Sequence, residues 1–355
     1  MLNTAAFLGR NSIFYDTITN PRTEYGGHNQ VSNLFLTAQN ESLANAHIIN
    51  HPRYWHGYLV FLKPLLLFFD IQNLRTINFV TQNILLLLVI FLLYRHTNFK
   101  YTLSFVLAVV YMNPIAMGLS LSYCGIYYIM LISMLYILIT PPLKQDWKLF
   151  LWIGIATSFI DMLTAPLITL AFPLILYISL KKTNFQTAFT TAVRTTICWS
   201  IGYLGMWFLK WAIATLMTDD NIIKDGLSNI LYRTAGNGYQ ETGIRNFTPL
   251  NAIKINLRQL DYNNSILIAL LYFLLITLNC FIKKCTFIKD KRVLLLLLIS
   301  LSPFLWYSVA VNHSIIHPLM SYRELCITIF ALTAALTLSL APDFPENAPK
   351  PCHFV

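Results

Sequence analysis

The chain has 355 residues, of which 56% are hydrophobic and 11% charged, with a net charge of +10 and a mean hydropathy of +0.57. A charged fraction so far below the soluble norm of about 25% excludes an ordinary soluble domain and makes the bilayer the expected solvent. The positive charge then serves membrane orientation, and no nucleic-acid partner is implied.

Residues 1–71 read as an external N-terminal segment, polar and mildly charged. They hold no apolar signal-peptide region. A tail of this length crosses a membrane poorly without a leading helix, so the chain reads as the N-terminally truncated form of a longer ancestor. Near the end of the segment, His51-Pro52-Arg53-Tyr54-Trp55-His56-Gly57-Tyr58 gathers two imidazoles, a guanidinium and three aromatic rings within eight residues. Arg and His are natural partners of a phosphate head, and aromatic rings stack on sugars. An aromatic-belt anchor on lipid phosphates is the competing reading. Residues 55–69 predict a short interfacial helix on the outer surface, with Trp55, Tyr58 and Lys63 at headgroup level.

The expected fold class is all-α: a polytopic transmembrane helix bundle within residues 72–341. About nine spans are predicted, at 72–94, 101–118, 121–139, 147–161, 163–180, 195–216, 265–282, 293–311 and 324–341. The fourth and fifth join through Thr157-Ser158-Phe159-Ile160-Asp161-Met162-Leu163-Thr164-Ala165-Pro166. An ionisable group at the outer end of a span is expensive to place, so Asp161 is a candidate general base or metal ligand. Its other reading is N-cap of the next span. Lys210, inside the sixth span, reads as a snorkelling lysine.

Residues 217–264 form a large external loop with Arg233 and Arg245 as anion contacts, and Gly236-Asn237-Gly238 permits a tight turn. Between the last two spans lie Asn312, His313 and His317, followed by Ser321, Tyr322, Arg323 and Glu324. His313 and His317 have the i, i+4 spacing of a metal pair, but no partner carboxylate in a metalloenzyme motif accompanies them. Contact with a lipid-linked phosphate and a plain loop are the other readings. Residues 342–355 form a cytoplasmic tail. The six cysteines contain no CxxC pair and read as small hydrophobes. No Walker motif, serine elbow or HExxH is present, which argues against ATP-driven transport.

Charge assigns the sides. The loops Arg95–Lys100, Lys144–Lys148, Lys181–Arg194 and Lys283–Arg292, with the tail, carry 13 Lys or Arg against 4 Asp or Glu. The short loops of the opposite face carry one basic residue, Arg323. This positive-inside pattern makes the first set cytoplasmic, with the N-terminus external and the C-terminus cytoplasmic.

The blocks HPRYWHGYLVFLKPLL, TSFIDMLTAPLITLAFPL and NHSIIHPLMSYREL resemble segments of a group of bacterial polytopic membrane proteins. That group is similar to the GT-C superfamily of polyprenyl-phosphate-sugar glycosyltransferases. The resemblance runs over residues 1–341. It implies an active site on the external face of the bacterial plasma membrane, a polyprenyl-phosphate-linked sugar as donor, and a glycan or lipid acceptor. Asp161 would be the catalytic carboxylate. His51, Arg53, Tyr54, His56, Arg233, His313, His317, Tyr322 and Arg323 would bind substrate. It implies no organic cofactor and leaves room for a divalent metal. The chain departs from that pattern at its start, where the family carries a key acidic residue after its first helix and only Asp16 and Glu24 are at hand. Two other functions compete: a lipid-linked saccharide transporter or flippase, and a non-catalytic truncated pseudo-enzyme. The few polar residues inside the spans (Asn83, Asn113, Asn279) speak against a transport path.

Overall fold

The structure is a computed structural model that describes residues 1–7, 12–26, 29–39, 46–140, 145–181, 183–234, 247–261, 266–282 and 290–340. The chain is mostly helical. The N-terminal segment holds short helices α1 (Leu2–Ala6), α2 (Ile13–Thr19) and α3 (Gln30–Ala38), and two strands, β1 (Arg22–Tyr25) and β2 (Ala46–Ile49). The strands pair antiparallel with Arg22 opposite Ile49 and Tyr25 opposite Ala46. This small sheet departs from the all-α expectation. Helix α4 (Leu59–Leu66) occupies the middle of the predicted interfacial stretch, and Val60, Phe61, Leu67 and Phe68 around it are exposed.

The bundle follows. Helix α5 (Ile71–His96) starts where Asp70 accepts from the Asn73 N–H at 2.7 Å, an N-cap. Helices α6 (Phe99–Met112) and α7 (Pro114–Leu119) replace the single predicted span at 101–118. The break has a local cause: Asn113 is left-handed, with φ 62°, its side chain caps α7 through the Ala116 N–H, and Pro114 cannot continue α6. Then come α8 (Cys124–Ile139), α9 (Asp146–Ile160), α10 (Leu167–Leu180) and α11 (Phe185–Met217). The predicted external loop holds two helices, α12 (Ile222–Thr234) and α13 (Pro249–Leu260). Helices α14 (Ile266–Ile282), α15 (Arg292–Ser300), α16 (Ser302–Val309), α17 (Val311–Ile316), α18 (Pro318–Ser321) and α19 (Leu325–Leu340) complete the chain, with a 3₁₀ turn at Tyr322–Glu324.

Among the described residues, four stretches are long and apolar enough to cross a membrane: Ile71–His96, Phe185–Met217, Arg292–Val309 and Pro318–Leu340. Three shorter apolar helices, Phe99–Met112, Cys124–Ile139 and Leu167–Leu180, accompany them. On α5, Ile84, Leu87, Leu88 and Phe91 are exposed, as an outer helix facing lipid would have them. By contrast α10 is buried from Ile168 to Ser179, as expected of a helix apolar all round and enclosed by others. The rings of Phe105, Phe172 and Phe330 lock α6, α10 and α19 together, with centroids 5.1–6.2 Å apart.

Helices α9 and α11 meet through two glycines. A Cβ on Gly154 would lie 2.1 Å from the Trp199 carbonyl oxygen, and one on Gly202 would lie 2.4 Å from that of Leu151. Only glycine at both positions lets the backbones approach so closely.

The bundle has two polar ends. At one, Asp146 accepts from the Tyr177 hydroxyl at 3.0 Å and pairs with Arg194 at 2.5 Å, while Arg292 holds Asp290 at 2.6 Å and the carbonyls of Ser179 and Lys181. The charged residues here, Asp146, Lys181, Arg194, Asp290 and Arg292, all belong to the predicted cytoplasmic loops. Helix α9 runs from this end to the other, where Asp161 lies.

Candidate functional site

The segment 51–58 is pinned to the far end of the bundle by hydrogen bonds to three elements. The His51 N–H donates to the Thr19 carbonyl at 2.7 Å. Trp55 Nε1 donates to the Met206 carbonyl at 2.7 Å, and Trp211 Nε1 to the Arg53 carbonyl at 3.1 Å. The Gly57 N–H donates to the Phe159 carbonyl at 2.8 Å. A Cβ on Gly57 would lie 2.4 Å from the Phe159 ring, so only glycine fits here. Gly57→Leu is expected to lift this segment from α9. Limited proteolysis should then cut between residues 51 and 58, where the wild type resists.

The segment docks on an aromatic ladder. Trp199, Tyr203, Trp207 and Trp211 recur every four residues along one face of α11. Neighbouring rings lie 4.9–5.8 Å apart, and Tyr54 meets Trp207 edge-on at 5.6 Å.

Three distant parts of the chain meet at Arg233, the half-buried guanidinium in the last turn of α12. Its Nη2 donates to the Tyr54 hydroxyl at 3.1 Å and its Nη1 contacts His313 Nδ1 at 2.5 Å. A guanidinium only donates, so His313 Nδ1 must be the acceptor and the ring proton must lie on Nε2. The Leu163 backbone, in the turn after Asp161, acts electrostatically on the ring, and Nε2 itself is buried without a hydrogen-bond partner among the described residues. Burial and the Arg233 charge both lower the His313 pKa well below the usual histidine value, which keeps it neutral. His317 packs beside it, with ring centroids 5.1 Å apart.

Asp161 lies in the turn between α9 and α10. It is not the N-cap of α10: its carboxylate accepts from the Thr164 N–H at 2.9 Å and from the Thr164 hydroxyl, closing its own turn. The N-terminus of α10 is capped from far away, by Glu324 Oε1 accepting the Leu167 N–H at 3.1 Å. Burial pushes the Asp161 pKa up to about 6, against the lowering pull of the Thr164 hydroxyl and N–H groups. The upward shift means that the folded state holds the proton more tightly. Asp161's contribution to stability is therefore whole below about pH 4 and is lost as pH rises through about 6.

His51 and His56 form a pair at 3.1 Å, with His51 stacked on Tyr54 and His56 bonded to the Tyr58 hydroxyl at 2.7 Å. Burial is the largest cause lowering both, and it brings His51 to about 4. Both imidazoles are neutral at physiological pH. Two residues here have left-handed backbones, His56 with φ 53° and Leu163 with φ 66°. Strained conformations of this kind persist only where the surroundings enforce them.

The predicted residues thus divide. Tyr54, Arg233, His313 and His317 come together around the Asp161 turn, and His51 and His56 join through Tyr54. Arg53 pairs instead with Asp225 on α12 at 3.6 Å. Arg323 is a buried strut: it donates to the carbonyls of Met112, at 3.1 Å, and Leu319, and lies over the rings of Tyr123 and Tyr322 at 4.2 and 4.8 Å. Tyr322 is buried in the same contact. Gly236, Asn237, Gly238 and Arg245 lie outside the described residues.

Lys210 does not snorkel. It is fully buried, donating to the Thr17 carbonyl at 3.1 Å, with its ammonium 5.1 Å from the centre of the Trp55 ring. Likewise Trp55 and Tyr58 pack inward and do not act as headgroup anchors, because Met206 and His56 supply their hydrogen bonds.

Two residues absent from the expected site belong to it. The fully buried carboxylate of Glu324 and the Tyr203 hydroxyl lie within electrostatic reach of each other, and Asp161, Tyr54 and Arg233 reach Tyr203 as well. The fourfold spacing of aromatics on α11 was the available signal for Tyr203. For Glu324 it was the cost of a carboxylate opening an apolar span. Among the described residues, no three His, Cys, Asp or Glu side chains gather as a metal site would need.

Two cavities flank α4. One, of about 370 Å³, lies between α4 and the N-terminal segment, with His56, Asp16 and Lys63 in its wall. The other, of about 400 Å³, is an apolar groove between α4, α5 and α8, lined by residues such as Leu62, Leu74, Ile77 and Ile129. Comparison of the chain with protein-family models, with curated proteins and with solved structures finds no match in any of the three.

Proposed function

We propose that this chain is a membrane glycosyltransferase. On this reading it crosses the bacterial plasma membrane about nine times, with its N-terminus external and its C-terminus cytoplasmic. It transfers a sugar from a polyprenyl-phosphate donor to a surface glycan or lipid. The observation that carries the reading is the junction at Arg233, which binds Tyr54 and His313 beside the Asp161 turn. A cation and a buried carboxylate that both reach Tyr203 are the minimal set for this transfer. The carboxylate removes the acceptor hydroxyl proton, and the cation receives the phosphate oxygen that departs with the electron pair of the broken C1–O bond. His313 and Tyr54 orient the guanidinium. The apolar groove beside α4 is large enough to hold part of a prenyl tail.

A base with a pKa of about 6 is ionised at neutral pH yet still basic enough to take a proton. The transfer rate is therefore expected to rise between about pH 5 and 7 with a midpoint near 6. The test is transfer of radiolabelled sugar from polyprenyl phosphate in membranes across that range. Asp161→Asn should lose the limb and most of the rate; equal rates in both proteins would remove Asp161 from the chemistry.

One observation favours a second reading. Thr164 engages both Asp161 oxygens, as a purely structural turn would. A non-catalytic protein that binds a lipid-linked saccharide would keep ligand binding in Asp161→Asn and show no transfer in either protein.

A further inference from the structure

We propose that the cavity between the N-terminal segment and α4 seats a neutral saccharide ring, which on the glycosyltransferase reading is a unit of the acceptor glycan remote from the reacting hydroxyl, since neither Asp161 nor Arg233 lines the cavity. Its volume of about 370 Å³ is that of a small-ligand site rather than a packing defect. Phe7, Trp55 and Phe159 give aromatic walls, on which the apolar face of a sugar ring can stack. The exposed lining is mostly apolar, with six polar side chains among its fourteen residues (Thr4, Asp16, Thr17, Asn20, His56 and Lys63), a mixture that matches the two-faced surface of a sugar ring. Their formal charges are one acid and one base, without an arginine, so an anion gains little there. The apolar groove on the other side of α4 has no charged side chain in its lining and suits a tail. Two cavities divided by one helix thus differ in the chemistry they accept.

The wall is rigid where a ring would rest. Lys210 lies against Trp55, and the Trp55 indole N–H is fixed on Met206. His56 is buried in a strained backbone and held between His51 and Tyr58. Both of its ring nitrogens are taken by these partners, so His56 shapes the wall and leaves hydroxyl recognition to the other polar side chains that line it. The same His56 is joined through His51 and Tyr54 to Arg233, so the wall of the seat and the Arg233 junction belong to one contact network.

The test is a titration of protein in nanodiscs free of glycoside detergent, read by tryptophan fluorescence. The probes are the methyl glycosides of glucose, galactose and N-acetylglucosamine, and inorganic phosphate. At least one glycoside should bind saturably and phosphate should not. Val60 lines the cavity from an exposed position on α4, so Val60→Trp fills the space without disturbing the fold. It should weaken glycoside binding about tenfold or more while the melting temperature stays unchanged. Asp16→Asn, which alters polarity and not volume, should weaken it as well. No saturable glycoside binding, equal binding in Val60→Trp, or saturable phosphate binding in place of sugar would overturn the seat. The titration contains no donor, so a chain inactive in transfer would still bind the sugars. A chain that transfers sugar yet ignores the glycosides would overturn the seat alone.

Discussion

Replacing Arg233 with alanine is expected to reduce sugar transfer by roughly 30- to 1,000-fold, the rate equivalent of about 2–4 kcal/mol. The guanidinium has two jobs. It holds Tyr54 and His313 together, and on the proposed reading it meets the charge that develops on the departing phosphate. Its removal leaves the His313 Nδ1 acceptor and the Tyr54 hydroxyl without their shared donor, a cost that falls on the geometry of the site. Lysine at the same position keeps the charge but is a point donor that cannot bridge both partners. Arg233→Lys should therefore recover part of the rate. Full activity in Arg233→Ala, measured with radiolabelled donor in membranes, would remove the phosphate role.

Gly154→Leu should have the largest effect on folding. The atoms that would meet a Cβ there are the Trp199 carbonyl oxygen at 2.1 Å, its carbon at 2.9 Å and the Tyr203 nitrogen at 3.0 Å. All are backbone, so no rotamer change relieves the clash and α11 must move as a body. Overpacking of this kind costs about 3 kcal/mol or more. It would also displace Tyr203 and the ladder on which residues 51–58 rest. The expected result is loss of the monodisperse peak in size-exclusion chromatography, or a melting temperature several degrees lower. Gly205, on the same helix, has nothing within 4 Å of a Cβ, and Gly205→Ala should behave as wild type. A stable Gly154→Leu protein would mean that α9 and α11 do not pack in this way.

Apolar length made the membrane character legible in the sequence, and Ile71–His96 and the last helices begin and end close to their expected limits. What sequence could not give was direction. Lys210 reads as a snorkelling residue because a lone lysine near the end of a span ordinarily reaches for water. Here the Thr17 carbonyl and the Trp55 ring, both from the N-terminal segment, cover it. Arg323 reads as a phosphate ligand, yet Met112 at the end of α6 and Leu319 in α18 offer it carbonyls, and Tyr123 before α8 and the adjacent Tyr322 offer it rings. In each case a decisive partner, Thr17 and Trp55 for Lys210 or Met112 and Tyr123 for Arg323, comes from a distant part of the chain, and local pattern carries no information about it. The clusters around His51, Asp161, Arg233 and His313 were legible as chemistry because their residue types are costly at a membrane boundary. Their junction was legible only as one face of the topology, since Tyr54 and Arg233 are 179 residues apart. Glu324 opens the last predicted span, and its task, capping α10 across 157 residues, leaves no local trace.

The account depends on remote segments sharing one junction at the end of the bundle opposite the Asp146–Arg194 pair. A double-mutant cycle on Tyr54→Phe and Arg233→Ala, read as melting temperature in nanodiscs, tests this without any substrate. Residues in direct contact couple by about 0.5–3 kcal/mol. The predicted result is that Tyr54→Phe lowers the melting temperature in the wild type and changes it little once Arg233 is gone. Strictly additive shifts would contradict the junction, and with it the site.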